Sequence, residues 1–357
     1  MTNKFDINKQ DNVKNKKTTF GIKIKHFLSN SFKFTPLELV ISGVMFSLFI
    51  ISFFILKVTG LGQFFGVEIL FCVIFGIIFG SVKGSILAIL ADTFSLILNG
   101  QIGLWYWGYA IWPPIISIVS SIYFFFYKAN GNGKISSILI FILTAILSAF
   151  FIIKTADKEK IVPYLIFILF AISTICLFLY KTTGNGKIIA SLLLILMAVG
   201  IMIFVFANNV KSSPEGTILI DRGKSSKPKT ISLPWAITLA GVLIYSLGIL
   251  VTFIIVVALY IKNKNQKYLD FILIIGIMTF IIILYRWIFG PIVYIKWAQH
   301  VQGKKWTVND RYVFFAIPII VNSMFTLPVY ILVLSSLYPV IKMLKRNYLD
   351  LRSKVSY

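Results

Sequence analysis

The chain has 357 residues, of which 58% are hydrophobic and only 13% charged, with 33 Phe among them. That is more apolar surface than a water-soluble core encloses, so the composition excludes an ordinary soluble domain and points to an all-α polytopic membrane protein. The net charge of +23 does not indicate nucleic acid, because Lys and Arg sit in tails and loops around apolar stretches, where they orient a membrane chain.

A basic segment, 1–34, comes first. Its stretch "FGIKIKHFLSNSFKF" alternates apolar and basic residues and reads as an interfacial anchor on anionic lipid. The first thirty residues hold no short apolar region before a cleavage site, so no cleaved signal peptide is expected. About ten transmembrane helices are predicted, at 39–57, 65–80, 84–99, 107–127, 135–153, 161–180, 187–207, 234–261, 268–292 and 312–341. The second and third form one apolar run, divided at Gly80-Ser81-Val82-Lys83-Gly84 because it is too long for a single crossing and carries a charge. Most of the Lys and Arg fall on one side, which places both termini, including the basic tail 347–357, in the cytoplasm of a plasma-membrane protein.

Two near copies, "YKANGNGK" at 127–134 and "YKTTGNGK" at 180–187, look at first like nucleotide-binding loops. A phosphate-cradling loop needs Gly five residues before its GK and Ser or Thr after it. Lys128 and Ile135 stand there in one copy, Lys181 and Ile188 in the other. Each copy instead opens a unit of tight turn, span, outer loop, Pro and span, with Pro163 and Pro234 at matching places. Residues 129–267 therefore read as a duplicated helical hairpin, inserted as four spans between core helices at 35–128 and 268–346. An even number of crossings leaves the flanking topology unchanged.

The inserted spans carry no Asp, Glu, Lys, Arg, His, Asn or Gln in their apolar stretches, so they read as lipid-facing or packing elements. Glu68, Asp92, Asn99, Arg286 and Asn322 lie in the other six spans. Charged groups at the bilayer centre are expensive and face a bundle interior or cavity. Gly84, Ala88, Ala91, Asp92, Ser95 and Asn99 recur at helical spacing as one small, polar stripe. Gly43 with Ser47, and Gly76 with Gly80, are small-xxx-small packing pairs. Pro318, Asn322 and Thr326 share a face of the last span, with Pro328 nearby to bend it.

At the outer ends, "NGQIGLWYWGYAIWPP" gathers Trp105, Tyr106, Trp107, Tyr109 and Trp112, and "IKWAQHVQGKKWTVNDR" adds Trp297, His300 and Trp306. These residues either stack a flat ligand or form an interfacial aromatic belt. Asp92 with Arg286 is either functional or a structural ion pair, Glu68 either gates or snorkels to the surface, and His300 is a loop residue on base rates. Cys72 and Cys176 fall within apolar segments as small hydrophobes, with no disulfide framework or thiolate metal site. Neither histidine, His26 or His300, lies in a span, which leaves no HExxH site and no intramembrane Ser–His pair. No enzyme activity, metal or cofactor is expected.

The run "FGVEILFCVIFGIIFGSVKGSILAILADTFSLILNG" followed by "WYWGYAIWPPIISIVSSIYFFFYK" resembles the second to fourth helices of the substrate-binding S components of energy-coupling factor (ECF) vitamin transporters, the folate-type members most of all. Gly76, Gly80, Gly84, Ala91 and Asp92 match its Gly-Ala-rich helix with an Ala-Asp step, and Tyr106, Trp107, Gly108 and Tyr109 its aromatic-Gly stretch. "VNSMFTLPVYILVLSSLYPVIKMLKR" looks like its final helices. The family has six helices, to which the insert would be an addition. The resemblance implies a subunit that captures a vitamin, a folate or another flat heterocycle, from outside. Its partners would be a transmembrane coupling subunit and two ATPase subunits. It also implies that Gly43 and Ser47 face the coupling subunit, with Ser42 and Phe46 an equal register. On this reading Asn99, Trp105, Tyr106, Trp107, Tyr109, Arg286 and Asn322 bind the vitamin, while Glu68 and Asp92 pack or gate. A stand-alone secondary transporter using Asp92, Glu68 and Arg286 as an ion relay is the other reading.

Overall fold

The computed structural model describes residues 32, 34–63, 65–128, 210–212, 217–220 and 229–346, with ten helical positions between 188 and 202. The N-terminal segment, the tail 347–357, the first inserted hairpin and the Gly-Asn-Gly turns lie outside the described residues. Among those described, five helical stretches are long and apolar enough to cross a membrane. The chain is a helical, multi-pass membrane protein.

Helix α1 (Pro36–Val58) starts where Thr35-Pro36-Leu37-Glu38 supplies every signal of a helix N-terminus. The Thr35 hydroxyl accepts from the Glu38 N–H at 3.2 Å, the Glu38 carboxylate accepts from the Thr35 N–H at 2.8 Å, and Pro36 needs no donor in the first turn. Phe49 and Phe53 are buried, whereas Leu39, Val40, Val44, Leu48, Ile51 and Ile55 stay exposed. One face of α1 therefore joins the bundle and the other meets lipid.

Helix α2 (Val67–Leu98) is continuous except at Gly80, whose φ of 84° and ψ of −174° fit glycine alone. A Cβ on Gly84 would stand 2.7 Å from the Phe75 carbonyl oxygen, although nine residues of straight helix would separate the two by about 13 Å. The chain thus doubles back, and limbs 67–79 and 81–98 run antiparallel. The break expected at 80–84 falls at Gly80. Both limbs lie against α4 (Trp112–Lys128), at a point where glycine is required. A Cβ on Gly76 would overlap the Ser117 carbonyl, and one on Gly84 would stand 2.6 Å from the Ser117 hydroxyl. The predicted span 107–127 is divided into a short turn of helix, α3 (Trp107–Ala110), and α4, with Ile111 between them.

The stretch read as an outer loop, 208–233, contains three short strands. Strands β1 (Val210–Ser212), β2 (Thr217–Ile220) and β3 (Lys229–Pro234) form an antiparallel sheet in chain order, with an irregularity at Thr217/Ile218. Helix α5 (Trp235–Asn263) follows, and Lys264, at φ 51°, turns the chain into α6 (Gln266–Ile281).

From α6 the helix widens into a π-helical segment (Ile282–Phe289) and continues as α7 (Gly290–Val301). Pro291 has no N–H to offer the Trp287 carbonyl, which instead accepts from the Tyr312 hydroxyl at 2.9 Å. The predicted span 268–292 is therefore part of a longer helical stretch, Gln266–Val301. The last helix, α8 (Val308–Leu344), contains Pro318, Pro328 and Pro339.

One end of the bundle is clasped by charge. Lys83 at the α2 turn reaches both Glu38 oxygens at 2.7 Å, Lys345 donates to the Ile77 carbonyl at 2.6 Å, and Lys342 pairs with Asp270 at 3.0 Å. At the opposite end Lys57 donates to the Leu98 carbonyl at 2.9 Å. The described residues between 188 and 263 pack on this core. Ser191, Leu194, Ile195, Ala198 and Met202 recur at helical spacing and are all buried, while Phe253 and Val256 of α5 share a cluster with Ile272 and Ile275 of α6. At the centre of that contact, a Cβ on Gly276 would meet the Ser191 and Tyr123 hydroxyls, each at 2.7 Å.

Candidate substrate site

The hairpin at Gly80 decides which polar residues meet. Positions 68 and 92 lie equally far from the turn, so the carboxylates of Glu68 and Asp92 come within electrostatic reach of each other. The limb 67–79 rises only about 20 Å, less than the roughly 30 Å of a hydrocarbon core. The limb therefore spans only part of a bilayer by itself; Glu68, in its first turn, is half-buried.

Arg286 approaches from the π-helical segment. Its Nη1 donates to the Thr326 hydroxyl of α8 at 3.3 Å, and its Nη2 stands 3.3 Å from the point a Gly66 Cβ would occupy, as does Glu68 Oε2. Tyr330, one turn beyond Thr326, donates its hydroxyl to the Gly66 carbonyl at 3.0 Å. The Ser95 hydroxyl, with one proton to give, lies between the Asp92 carbonyl at 2.9 Å and the Glu68 carboxylate. A π turn presents side chains out of step with the α-helix around it, which is how Arg286 and Tyr285 both enter one site. Tyr285 packs its ring on Trp112 at 5.7 Å and lies within electrostatic range of Asp92, Arg286, Glu68 and Tyr109. A small apolar recess of about 10 Å³, room for about one water, is lined by Trp112, Ile115, Ile116, Val119, Ile281, Leu284 and Tyr285 beside it.

The end of the bundle formed by residues 99–111 and α7 gathers rings. Tyr106 contacts Trp107 at 5.5 Å, Tyr109 at 6.4 Å and His300 at 5.8 Å between ring centroids. The Trp297 indole donates to the Leu104 carbonyl at 3.2 Å, which ties the 99–111 loop to α7. Partial loss of water raises the Tyr106 phenol above its ordinary range. Tyr109 also interacts with Tyr294 and Tyr106, so tyrosines run from the cap down to Asp92.

The sequence-predicted residues divide among these places. Glu68, Asp92 and Arg286 share the deep centre, but Arg286 faces Glu68 and Thr326, and the Asp92–Arg286 ion pair considered above does not form. Glu68 is half-buried, with its Oε2 on the Arg286 side. Asn322 is half-buried on α8, one turn before Thr326. Tyr106 and Tyr109 belong to the cap, while Trp105 and Trp107 are 51% and 57% exposed. Asn99 is exposed and ends α2, its N–H donating to the Ser95 carbonyl at 3.0 Å. His300 ends α7 in contact with Tyr106 rather than lying in a loop. Gly43 has open space around it and Ser47 donates to the Gly43 carbonyl at 2.9 Å, whereas Ser42 is buried and Phe46 packs edge-on to Phe94. Of the two registers, Gly43 with Ser47 is the face left open.

Tyr285, Tyr330 and Gly66 were not singled out by sequence. The spacing of Tyr330 four residues after Thr326 was a signal that could have found it. Among the described residues no group of His, Cys, Asp or Glu is arranged to hold a metal ion. Compared with protein-family profiles, curated proteins and solved structures, the chain matches none.

Proposed function

We propose that this chain is the substrate-capturing membrane subunit of an ECF-type importer for a vitamin, a folate or another flat heterocycle. It has a six-span core and an inserted four-helix region, ten spans in all, with both ends in the cytoplasm of the plasma membrane. The supporting observation is the pairing of a ring-lined end with a half-buried polar centre in the core. Tyr106, Tyr109 and Trp107 provide stacking surface for a planar ligand, while Arg286 and Asn322 lie on the elements lining its inner end. On this reading residues 129–267 are an addition to the core, and their described part is packed into it: Leu194, Ala198, Met202 and Val242 share the main apolar cluster, while Ile195, Phe253 and Val256 pack on Ile272 and Ile275. The open Gly43–Ser47 face of α1 suits close approach of a coupling subunit. ATP hydrolysis would belong to two partner ATPase subunits.

The second reading, a self-contained transporter, draws on the same Glu68, Asp92 and Arg286. Uptake assays separate the two. Radiolabelled vitamin uptake by cells producing this chain with a coupling module should stop when the ATPase subunits are inactivated, and Trp107→Ala should weaken vitamin binding at least about tenfold. Uptake that continues without functional ATPases would favour the self-contained transporter.

A further inference from the structure

Positive charge accumulates at the clasped end of the bundle. Lys342 pairs with Asp270 at 3.0 Å, and Asp270 also accepts from the Gln266 amide at 3.4 Å, so the last turn of α8 lies against the start of α6. Around that contact stand Lys262 and Lys264 at the α5–α6 turn, Lys267 in the first turn of α6, and Lys345 and Arg346 just past α8. Asp270 is the one acid within 257–281 and 331–346, and its side chain, only 14% exposed, already pairs with Lys342. Lys345 is committed to the Ile77 carbonyl. Lys262, Lys264, Lys267 and Arg346 are exposed, and Lys342 is half so, which leaves a surplus of cations facing outward.

The setting of these cations favours a lipid over a soluble anion. Lys264 lies over the Tyr260 ring and Lys342 over the Tyr338 ring, each at 5.9 Å, and tyrosine at the end of a membrane helix marks the level of the headgroups. Immediately beside the cations the surface is apolar: Ile261 next to Lys262, and Val340 and Met343 flanking Lys342, are all more than half exposed. A nucleic acid or an acidic protein would lay polar surface on that collar. A phospholipid places its phosphate on the cations and its acyl chains on the collar. We propose that the α5–α6 turn and the end of α8 form a binding site for an anionic phospholipid. Lys264, Lys267, Lys342 and Arg346 hold the headgroup, and Val340 and Met343 meet the acyl chains. The bound lipid bridges α6 and α8 and reinforces the seam made by Lys342 and Asp270.

The test uses the full chain in mixed detergent–lipid micelles, with bound phosphatidylglycerol and phosphatidylcholine of identical acyl chains counted by native mass spectrometry. Phosphatidylglycerol is expected to bind at least about tenfold more tightly and to raise the midpoint of thermal unfolding. The double variant Lys267→Gln with Arg346→Gln should weaken it by about fivefold for each cation removed. Binding of phosphatidylcholine, and the thermal midpoint in that lipid, should stay unchanged, which shows that the fold is intact. Lys267→Arg with Arg346→Lys keeps the charges and should bind as the original chain does. Lys304→Gln with Lys305→Gln, at exposed positions in the loop at the opposite end, should retain the preference. Equal affinity for the two lipids, no loss from the first double variant, or an equal loss from the variant at the opposite end would overturn the site. Retention of polyglutamate that phosphatidylglycerol does not displace would also overturn it, in favour of an acidic protein partner.

Discussion

Helices α2 and α5 are both strongly apolar, with mean hydropathies of 2.2 and 2.9 in their most apolar windows, yet 56% of one window is buried inside the protein and only 17% of the other. Hydropathy alone would make α5 the more deeply buried helix. What separates them is where the small and polar residues fall. In α2, Gly76, Gly80 and Gly84 allow the chain to turn back and touch α4 backbone to backbone, and Glu68, Asp92 and Ser95 meet across the limbs. In α5 the glycines face nothing, and one stripe through Val242, Ser246, Phe253 and Val256 holds the helix to its neighbours. In a membrane, apolarity places a helix in lipid, and glycine spacing decides which helices touch.

The contrast is most easily broken at the glycines. Gly76→Leu forces a side chain into the Ser117 backbone and should abolish recovery of monodisperse protein, a cost well above the usual overpacking range of about 1 to 3 kcal/mol. Gly248→Leu in α5, with open space around it, should shift the midpoint of thermal unfolding little. Equal losses at both positions would mean that α2 and α5 are packed alike. Next in size, Arg286→Met leaves Glu68 without its cation and should destabilise the protein by about 3 to 5 kcal/mol, measured by denaturant titration in detergent. The double variant with Glu68→Gln should recover a large part of that loss.

Smaller effects test the seams. Gly276→Leu would push against Ser191 and Tyr123 and is expected to cost about 1 to 3 kcal/mol, with faster proteolysis of the inserted region and no change at the α2 turn. Tyr312→Phe removes the hydroxyl that serves the Trp287 carbonyl at the π segment and should cost about 1 kcal/mol. It should also increase amide exchange around 286–291.

Much of the architecture was legible in sequence because the membrane imposes a strong pattern. The apolar runs and the break at Gly80 could be read directly, the latter because a charged, glycine-rich step interrupts a run too long to cross once. Two features could not be read. The π-helical segment at 282–289 depends on Pro291 being answered by Tyr312, residues separated by a helix and a loop. The partnership of Arg286 with Glu68 and Thr326, rather than with Asp92, depends on rotations of three helices that no local spacing specifies. The capping box at Thr35–Glu38 was legible in principle, since Thr-Pro-Leu-Glu ahead of an apolar run carries its own mechanism, but it says nothing of the pairing of Glu38 with Lys83.

The central claim, capture of a vitamin on behalf of a separate ATP-driven module, is most directly tested by purifying the tagged chain from its native membrane and identifying bound subunits and extracted small molecules by mass spectrometry. The account predicts a coupling subunit, two ATPase subunits and a vitamin recovered together. The chain emerging alone, in a mild detergent that keeps a known complex of this type intact, would contradict it and turn attention to Glu68, Asp92 and Arg286 as the relay of a self-contained transporter.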